Sequence, residues 1–370
     1  MNNAMGIINL VESNQALNEI TLHRPLATVP FGGRYRLIDF ALSGMVNSGI
    51  TNVGILAPFQ QRSLLDHLRS GRDWQLALKK DGLALLPPSY GQPEPLPEND
   101  VRNFYNNLDF LKKSRQEYVL VTSPNVVGNL DFVTPLQAHQ DSGADITFLY
   151  QRQDSSERDC PNCALLDIGA DSQVTGIRFG HDSDEGTDFF AGTFILRKEL
   201  LVKLIKDCYA KGVGSLLQGL AGQLPRFRTS AYAYSGYLAR IHCLRSYYRY
   251  NMALLQPEVW QALFAQPRQI YTKIRDEAPA KYTRDSRVTN AIVAGSSTIR
   301  GTVDSSVLFR RVTVGEGAQV RRSVLMSNTE VGKNAVLEHV ICDKDVRITD
   351  GKCLRGTPDQ PLVLKKGTVV

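Results

Sequence analysis

Arg24-Pro25-Leu26-Ala27-Thr28-Val29-Pro30-Phe31-Gly32-Gly33-Arg34-Tyr35-Arg36-Leu37-Ile38-Asp39-Phe40-Ala41-Leu42-Ser43-Gly44-Met45-Val46-Asn47-Ser48-Gly49-Ile50 is the stretch from which the rest of the chain can be read. Two prolines and two adjacent glycines specify a tight turn, and the apolar spacing from Leu37 to Val46 specifies a helix ending at Asn47-Ser48-Gly49. Glycine lets backbone approach a neighbour closely, and Arg34 and Arg36, with His23 and Arg24 just ahead, offer cations for a phosphate or carboxylate. An equally simple reading is self-contained: Asp39 caps or pairs within the loop, and the cations face acidic residues or a neighbouring subunit. Both readings stay open at this point.

Outward from this run, Met5-Gly6-Ile7-Ile8-Asn9-Leu10-Val11 reads as a short apolar strand, followed by strands over 53–57, 118–121 and 145–150 with helical stretches between them. Near-continuous apolar strands alternating with helices predict a mainly parallel sheet covered on both faces, a Rossmann-like α/β domain. Residues 87–97 are a Pro/Gly-rich loop, 151–186 are polar with short strands at most, and 189–196 is a strand running into a helix over 198–209. The Tyr-rich helix expected over 241–255, with Tyr247, Tyr248 and Tyr250, reads as a packing surface or interface. Prolines and charges after it mark a linker over 256–285, so the expected division is 1–255, a linker, and 286–370.

Past the linker the period changes. From 290 to 353, Val or Ile returns about every sixth residue with glycines at the turns, as in Ile299-Arg300-Gly301, Val314-Gly315-Glu316-Gly317 and Val331-Gly332. That is the pattern of a parallel β-helix of around four coils, each stacking on the next because none can bury its face alone. A short solenoid has open ends and edges, which makes protein contact a plausible task for it.

The bulk properties narrow the class. With 370 residues, 42% hydrophobic, the chain can bury one sizeable core and a smaller second one. The net charge of +6 is scattered as single residues and pairs without aromatic interleaving, which argues against nucleic acid as partner and leaves small anions. No apolar run is long enough to cross a bilayer, and six cysteines without a secretory leader fit a reduced, cytoplasmic protein. Cys160-Pro161-Asn162-Cys163 is a lone C-x2-C, read as a loop rather than a zinc site.

The run from Arg24 to Ile50 strongly resembles the PAVPFGG[KR]YR[IL]IDF block of the ADP-glucose pyrophosphorylase (glucose-1-phosphate adenylyltransferase) family. Residues 230–255 resemble that family's block before its linker, and 297–351 its C-terminal left-handed β-helix. The resemblance implies a nucleotidyltransferase domain with a mixed sheet followed by a left-handed β-helix.

Nucleotidyl transfer needs a backbone cradle for the triphosphate, carboxylates for Mg2+, and cations for spreading phosphate charge. Where the family carries a Gly-Gly-x-Gly loop after the first strand, this chain has Asn9-Leu10-Val11-Glu12-Ser13-Asn14, without glycine. Where the family has Ser-Gly-Asp-His, the chain has Thr122-Ser123-Pro124-Asn125, and Asn125 or Pro124 replaces the metal carboxylate. The second metal aspartate matches Arg240 in Gly236-Tyr237-Leu238-Ala239-Arg240, a cation where Mg2+ should bind. The sugar-site segments are lost too, with only Asn107 and Ala191-Gly192 retaining some likeness.

Asn14, Asn125 and Arg240 are therefore degenerate positions, and no catalytic, cofactor or metal site is expected in this chain. Among family members it is most similar to the regulatory subunit of the Gram-positive glycogen operon. That resemblance implies a subunit that activates a catalytic homologue in a heterotetramer, with Mg2+ on the partner, and that could self-associate when alone. His23, Arg24, Arg34 and Arg36 remain candidates for an anionic or phosphorylated effector or for an interface. Two alternatives are an active enzyme with ligands relocated to Asp39, Asp100 and Asp131, and a scaffold protein.

Overall fold

The computed structural model describes residues 3–11, 15–88, 100–152, 163–180 and 188–370. Glu12, Ser13 and Asn14 of the degenerate loop, part of the 87–97 loop and Cys160 lie outside the described residues. The chain forms two compact units from interleaved segments: 1–13, 40–238 and 268–271 make the first, and 14–39, 239–267 and 272–370 the second.

The first unit is built on a nine-stranded sheet. Its strands are β1 (Ala4–Asn9), β2 (Asn52–Leu56), β3 (Gly82–Leu86), β4 (Tyr118–Thr122), β5 (Ile146–Arg152), β6 (Ala164–Ile168), β7 (Val174–Phe179), β8 (Asp188–Arg197) and β9 (Thr229–Ala233). Their order is β7-β6-β8-β4-β1-β2-β3, with β5 joining β8 to β9. The half carrying β4, β1, β2 and β3 is parallel, in register through Ile7↔Val121, Ile7↔Gly54 and Gly54↔Ala84. There the apolar runs expected from sequence are buried on both faces. On the other side β8 runs antiparallel to both β4 and β5, so the sheet is mixed. The core gathers Met5, Ile7, Val119, Val121, Phe148, Phe194 and Leu196 with Leu201, Leu204 and Ile205 of the helix Lys198–Ala210.

In the second unit three parallel five-stranded sheets wind through residues 281–364. The solenoid therefore has five coils, one more than the sequence period indicates, because the coil containing Lys281–Tyr282 and Arg287–Thr289 carries few of the expected Val or Ile residues. Coils repeat in register, as in Val303↔Val320↔Leu337, with Ile299, Val303, Leu308, Val314, Val320, Leu325 and Leu337 fully buried inside. Chain corners take left-handed backbone at Asn328, Asn334, Asp345 and several other residues, and buried hydroxyls tie the corners together. Ser306 Oγ accepts from Ser323 N at 3.0 Å and Ser323 Oγ from Val340 N at 3.2 Å.

The remaining segments of the second unit pack onto this solenoid. Pro30–Phe31 and Tyr35–Arg36 form a hairpin around Gly32 and Gly33, both at positive φ. A Cβ on Gly32 would come within 2.9 Å of Leu254, and one on Gly33 within 2.9 Å of Ile292. The close neighbours that the glycines admit are thus the chain's own. Gly32 N–H donates to Asn251 Oδ1 at 3.1 Å, and Tyr247 hydroxyl to Pro30 O at 2.7 Å, so the helix Leu244–Ala253 holds the hairpin. The stretch read as a linker holds the helix Pro257–Phe264.

Candidate functional site

The first unit carries the residues at two of the positions where the resemblance places catalytic groups. Asn9, at the end of β1, accepts from Val11 N–H at 3.1 Å and donates from its amide to Asp100 Oδ2 at 2.8 Å. Asp100 also accepts from Leu216 N–H at 2.8 Å, so its carboxylate fastens the start of the helix Leu216–Ala221. At the end of β4, Thr122 and Thr193 hydroxyls lie 2.7 Å apart, Ser123 N–H donates to Gly192 O, and Ser123 Oγ donates to Asn125 Oδ1 at 2.9 Å. Asn125 thus spends its carbonyl oxygen locally, and an amide lacks the charge that makes a carboxylate compete with water for Mg2+. Asn107 clips two backbone carbonyls, those of Pro87 and Asn103.

The carboxylates proposed as relocated ligands each have structural work. Asp39 accepts from Arg36 N–H at 2.9 Å. Asp131 takes Val133 N–H and Thr134 Oγ1 at the start of the helix Val133–Ser142 and pairs with Arg268 at 3.2 Å. Among the described residues no three His, Cys, Asp or Glu side chains are grouped so as to hold a metal ion. Cys163 is buried and disulfide-bonded, which departs from the expectation that all six cysteines are reduced and leaves no thiolate there for zinc.

In the second unit, Arg240 ends the strand Leu238–Arg240, and its carbonyl lies 3.2 Å from His242 Nδ1. Cys243 caps the following helix: its sulfur accepts from Ser246 N–H, and Ser246 Oγ accepts from Cys243 N–H. Burial alone would raise the Cys243 thiol, yet hydrogen bonds from His242 and Ser246 bring it down to about 7.

The four cations singled out from the sequence separate. His23 and Arg34 are exposed, and Arg34 lies over the Tyr35 ring with 5.4 Å to its centroid. Arg24 is 4% exposed and makes a buried ion pair with Asp343, with Met326 sulfur 3.9 Å away. Arg36 is buried as well. Both lie close enough to Lys344 to act on it: burial first, then Arg36 and Arg24, push the Lys344 ammonium down to about 7, with Arg275 adding to the effect and Asp343 opposing it. Arg310 is lowered by burial and by Arg275, Arg34 and Arg311, against Glu277.

Of the charged side chains buried in this unit among the described residues, Arg24, Arg36 and Lys273 are cations and Asp39 and Asp343 anions, and the Glu277 carboxylate, 8% exposed, pairs with Arg310 and Arg311. Asp343, Lys344, Arg275 and Lys273 escaped the sequence reading. Lys344 lies between two aspartates in sequence and Lys273 and Arg275 flank a single isoleucine, and only the β-helix winding brings 343–344 to Arg24 and Arg36.

Comparison with known proteins follows the same lines. The nucleotidyl transferase family model matches residues 14–159, and that of the GlmU-like C-terminal hexapeptide matches 278–358. The glycogen biosynthesis protein GlgD of Bacillus subtilis (strain 168) is 35% identical over 368 residues, covering 100% of this chain and 97% of its own. That of Geobacillus stearothermophilus is 37% identical over 375 residues, covering 100% and 98%. The chain belongs to the GlgD family. The glucose-1-phosphate adenylyltransferase of Bacillus cereus (strain Q1) is similar at 28% identity over 350 residues, 92% of this chain and 91% of its own. No helix among the described residues of this GlgD family member is long and apolar enough to cross a membrane.

Proposed function

We propose that this chain is the non-catalytic, regulatory subunit of a glucose-1-phosphate adenylyltransferase, acting in the cytoplasm in glycogen biosynthesis. It joins a catalytic homologue in a heterotetramer and modulates that subunit's conversion of ATP and glucose 1-phosphate to ADP-glucose and pyrophosphate. Mg2+ and the acidic groups that hold it belong to the partner. The observation that carries this reading is the end of β4, where Asn125 accepts from Ser123, together with the lack, among the described residues, of any group of three His, Cys, Asp or Glu that could hold a metal ion. Arg240, at the second metal position, adds a cation where transfer requires an anion.

In the same reading, Arg36, Lys344 and Arg275 receive an anionic effector, with Arg24 held in place by Asp343. A phosphate or carboxylate is the chemical complement of guanidinium and ammonium groups set close together. The test is a titration. The purified chain alone should make no ADP-glucose, and added to a fixed amount of catalytic homologue it should change the rate until a fixed ratio is reached. Product from the chain alone, or a partner rate unmoved at any ratio, overturns the proposal.

A further inference from the structure

In the second unit the helix Pro257–Phe264 buries Leu263 completely, yet leaves Trp260 41% exposed. A row of ring contacts steadies that indole. Trp260 meets Phe264 with 4.5 Å between centroids, Phe264 stacks on Tyr35 at 5.1 Å with planes 12° apart, and the Arg34 guanidinium lies over Tyr35 at 5.4 Å. Tyr35 is 9% exposed, so the row is rooted in the unit's interior, with Arg34 at one end and Trp260 at the other. A ring held in this way loses little freedom on meeting a ligand.

The surroundings of the indole are polar but hold no cation. Between 256 and 267 the exposed polar side chains are Gln256, Glu258, Gln261 and Gln266, three carboxamides and one carboxylate. Gln256 and Trp260, four residues apart, share one helix face. Among the described residues the Trp260 indole N–H meets no acceptor. Arg268, next in sequence, is paired with Asp131.

We propose that Trp260 and the polar groups beside it form a surface binding site for a neutral glucan chain. A pyranose ring has faces of C–H bonds and a rim of hydroxyls. The flat indole takes the C–H face by dispersion, and its N–H takes a hydroxyl. Gln256, Glu258 and Gln261 take the others, since a carboxamide both donates and accepts and a carboxylate accepts. Other ligands ask for what this helix lacks: a nucleotide or sugar phosphate needs cations, a bilayer surface needs cations with several apolar side chains, and a Pro-rich peptide needs a groove lined by several rings. For the choice of an α-linked glucan among neutral glycans, the inference rests on the role in glycogen biosynthesis proposed above.

The test uses the full-length chain without a catalytic partner. Of its two tryptophans Trp74 is 0% exposed, so a dissolved quencher such as acrylamide reports on Trp260. Maltoheptaose at millimolar concentration should protect the wild-type emission from acrylamide, and AMP should not. In co-sedimentation with glycogen, Trp260→Ala should weaken binding at least about tenfold with an unchanged thermal melt, and Trp260→Tyr should retain part of it. Binding should be equal at about 50 and about 500 mM salt, since the ligand is neutral. No protection and no co-sedimentation of the wild type, a reading that needs no variant, overturns the proposal, as does glycogen binding unchanged in Trp260→Ala. Protection by AMP alone overturns the neutral ligand, and self-association lost in Trp260→Ala in place of glycogen binding overturns it in favour of a protein contact. None of these outcomes touches the regulatory reading, which fails on the rate of the catalytic partner.

Discussion

Lys344 shows how a single residue reports on its surroundings. Its ammonium sits near Arg36, Arg24 and Arg275 with Asp343 as the opposing charge, and its folded pKa of about 7 lies below the usual 10.5 of lysine. Between those values the unfolded chain binds more protons than the folded one, so stability must rise as pH is raised from about 7 towards about 10. Stability contributed by the neutral amine is complete above the unfolded value and is lost as pH falls through the folded one. Unfolding free energies measured in denaturant across that window should rise by roughly 4 kcal/mol in wild type, and Lys344→Met should flatten the slope. Inorganic phosphate should flatten it too, because an anion beside Lys344 favours the charged form. A slope unchanged in Lys344→Met would remove this residue from the cationic group.

At the scale of elements, the hairpin and its preceding segment are held to the β-helix by the buried pair Arg24 and Asp343. Removing one partner leaves an uncompensated charge: Asp343→Asn should cost about 3 kcal/mol in urea unfolding, and Arg24→Met with Asp343→Leu together should recover most of that loss. A single substitution costing no more than the double would show that the pair does not act as a unit. This attachment was hidden in the sequence. The helix after Leu37, the apolar strands 4–9 and 118–122 and the hexapeptide period were all legible, because each is a local pattern of apolar spacing. The antiparallel course of β8, the docking of 14–39 on the solenoid and the company of Lys344 arise from contacts between distant segments, as with Arg24 and Asp343, 319 positions apart. The readings of Asn125 and Arg240 rest on a charge missing from a motif, whereas a gathered charge such as Arg36 with Lys344 needs the fold.

For the whole molecule, a regulatory chain acts through the states of its partner. A subunit that raises the partner's affinity for ATP must bind the ATP-loaded partner more tightly by the same factor, since the coupling free energy is shared. If this chain lowers the partner's dissociation constant for ATP tenfold, saturating ATP should tighten the association of the two chains tenfold, about 1.4 kcal/mol, by sedimentation or calorimetry. The same complex separates regulation from concealed chemistry. With the metal-binding carboxylates of the partner replaced, the assembly should still form and still respond to ATP if some affinity remains, yet release no pyrophosphate. Any other reaction centre in it would have to lie in this chain, where Asn125 accepts from Ser123. Pyrophosphate from that assembly, lost on changing Asp100, would place a working site in this chain and end the regulatory reading.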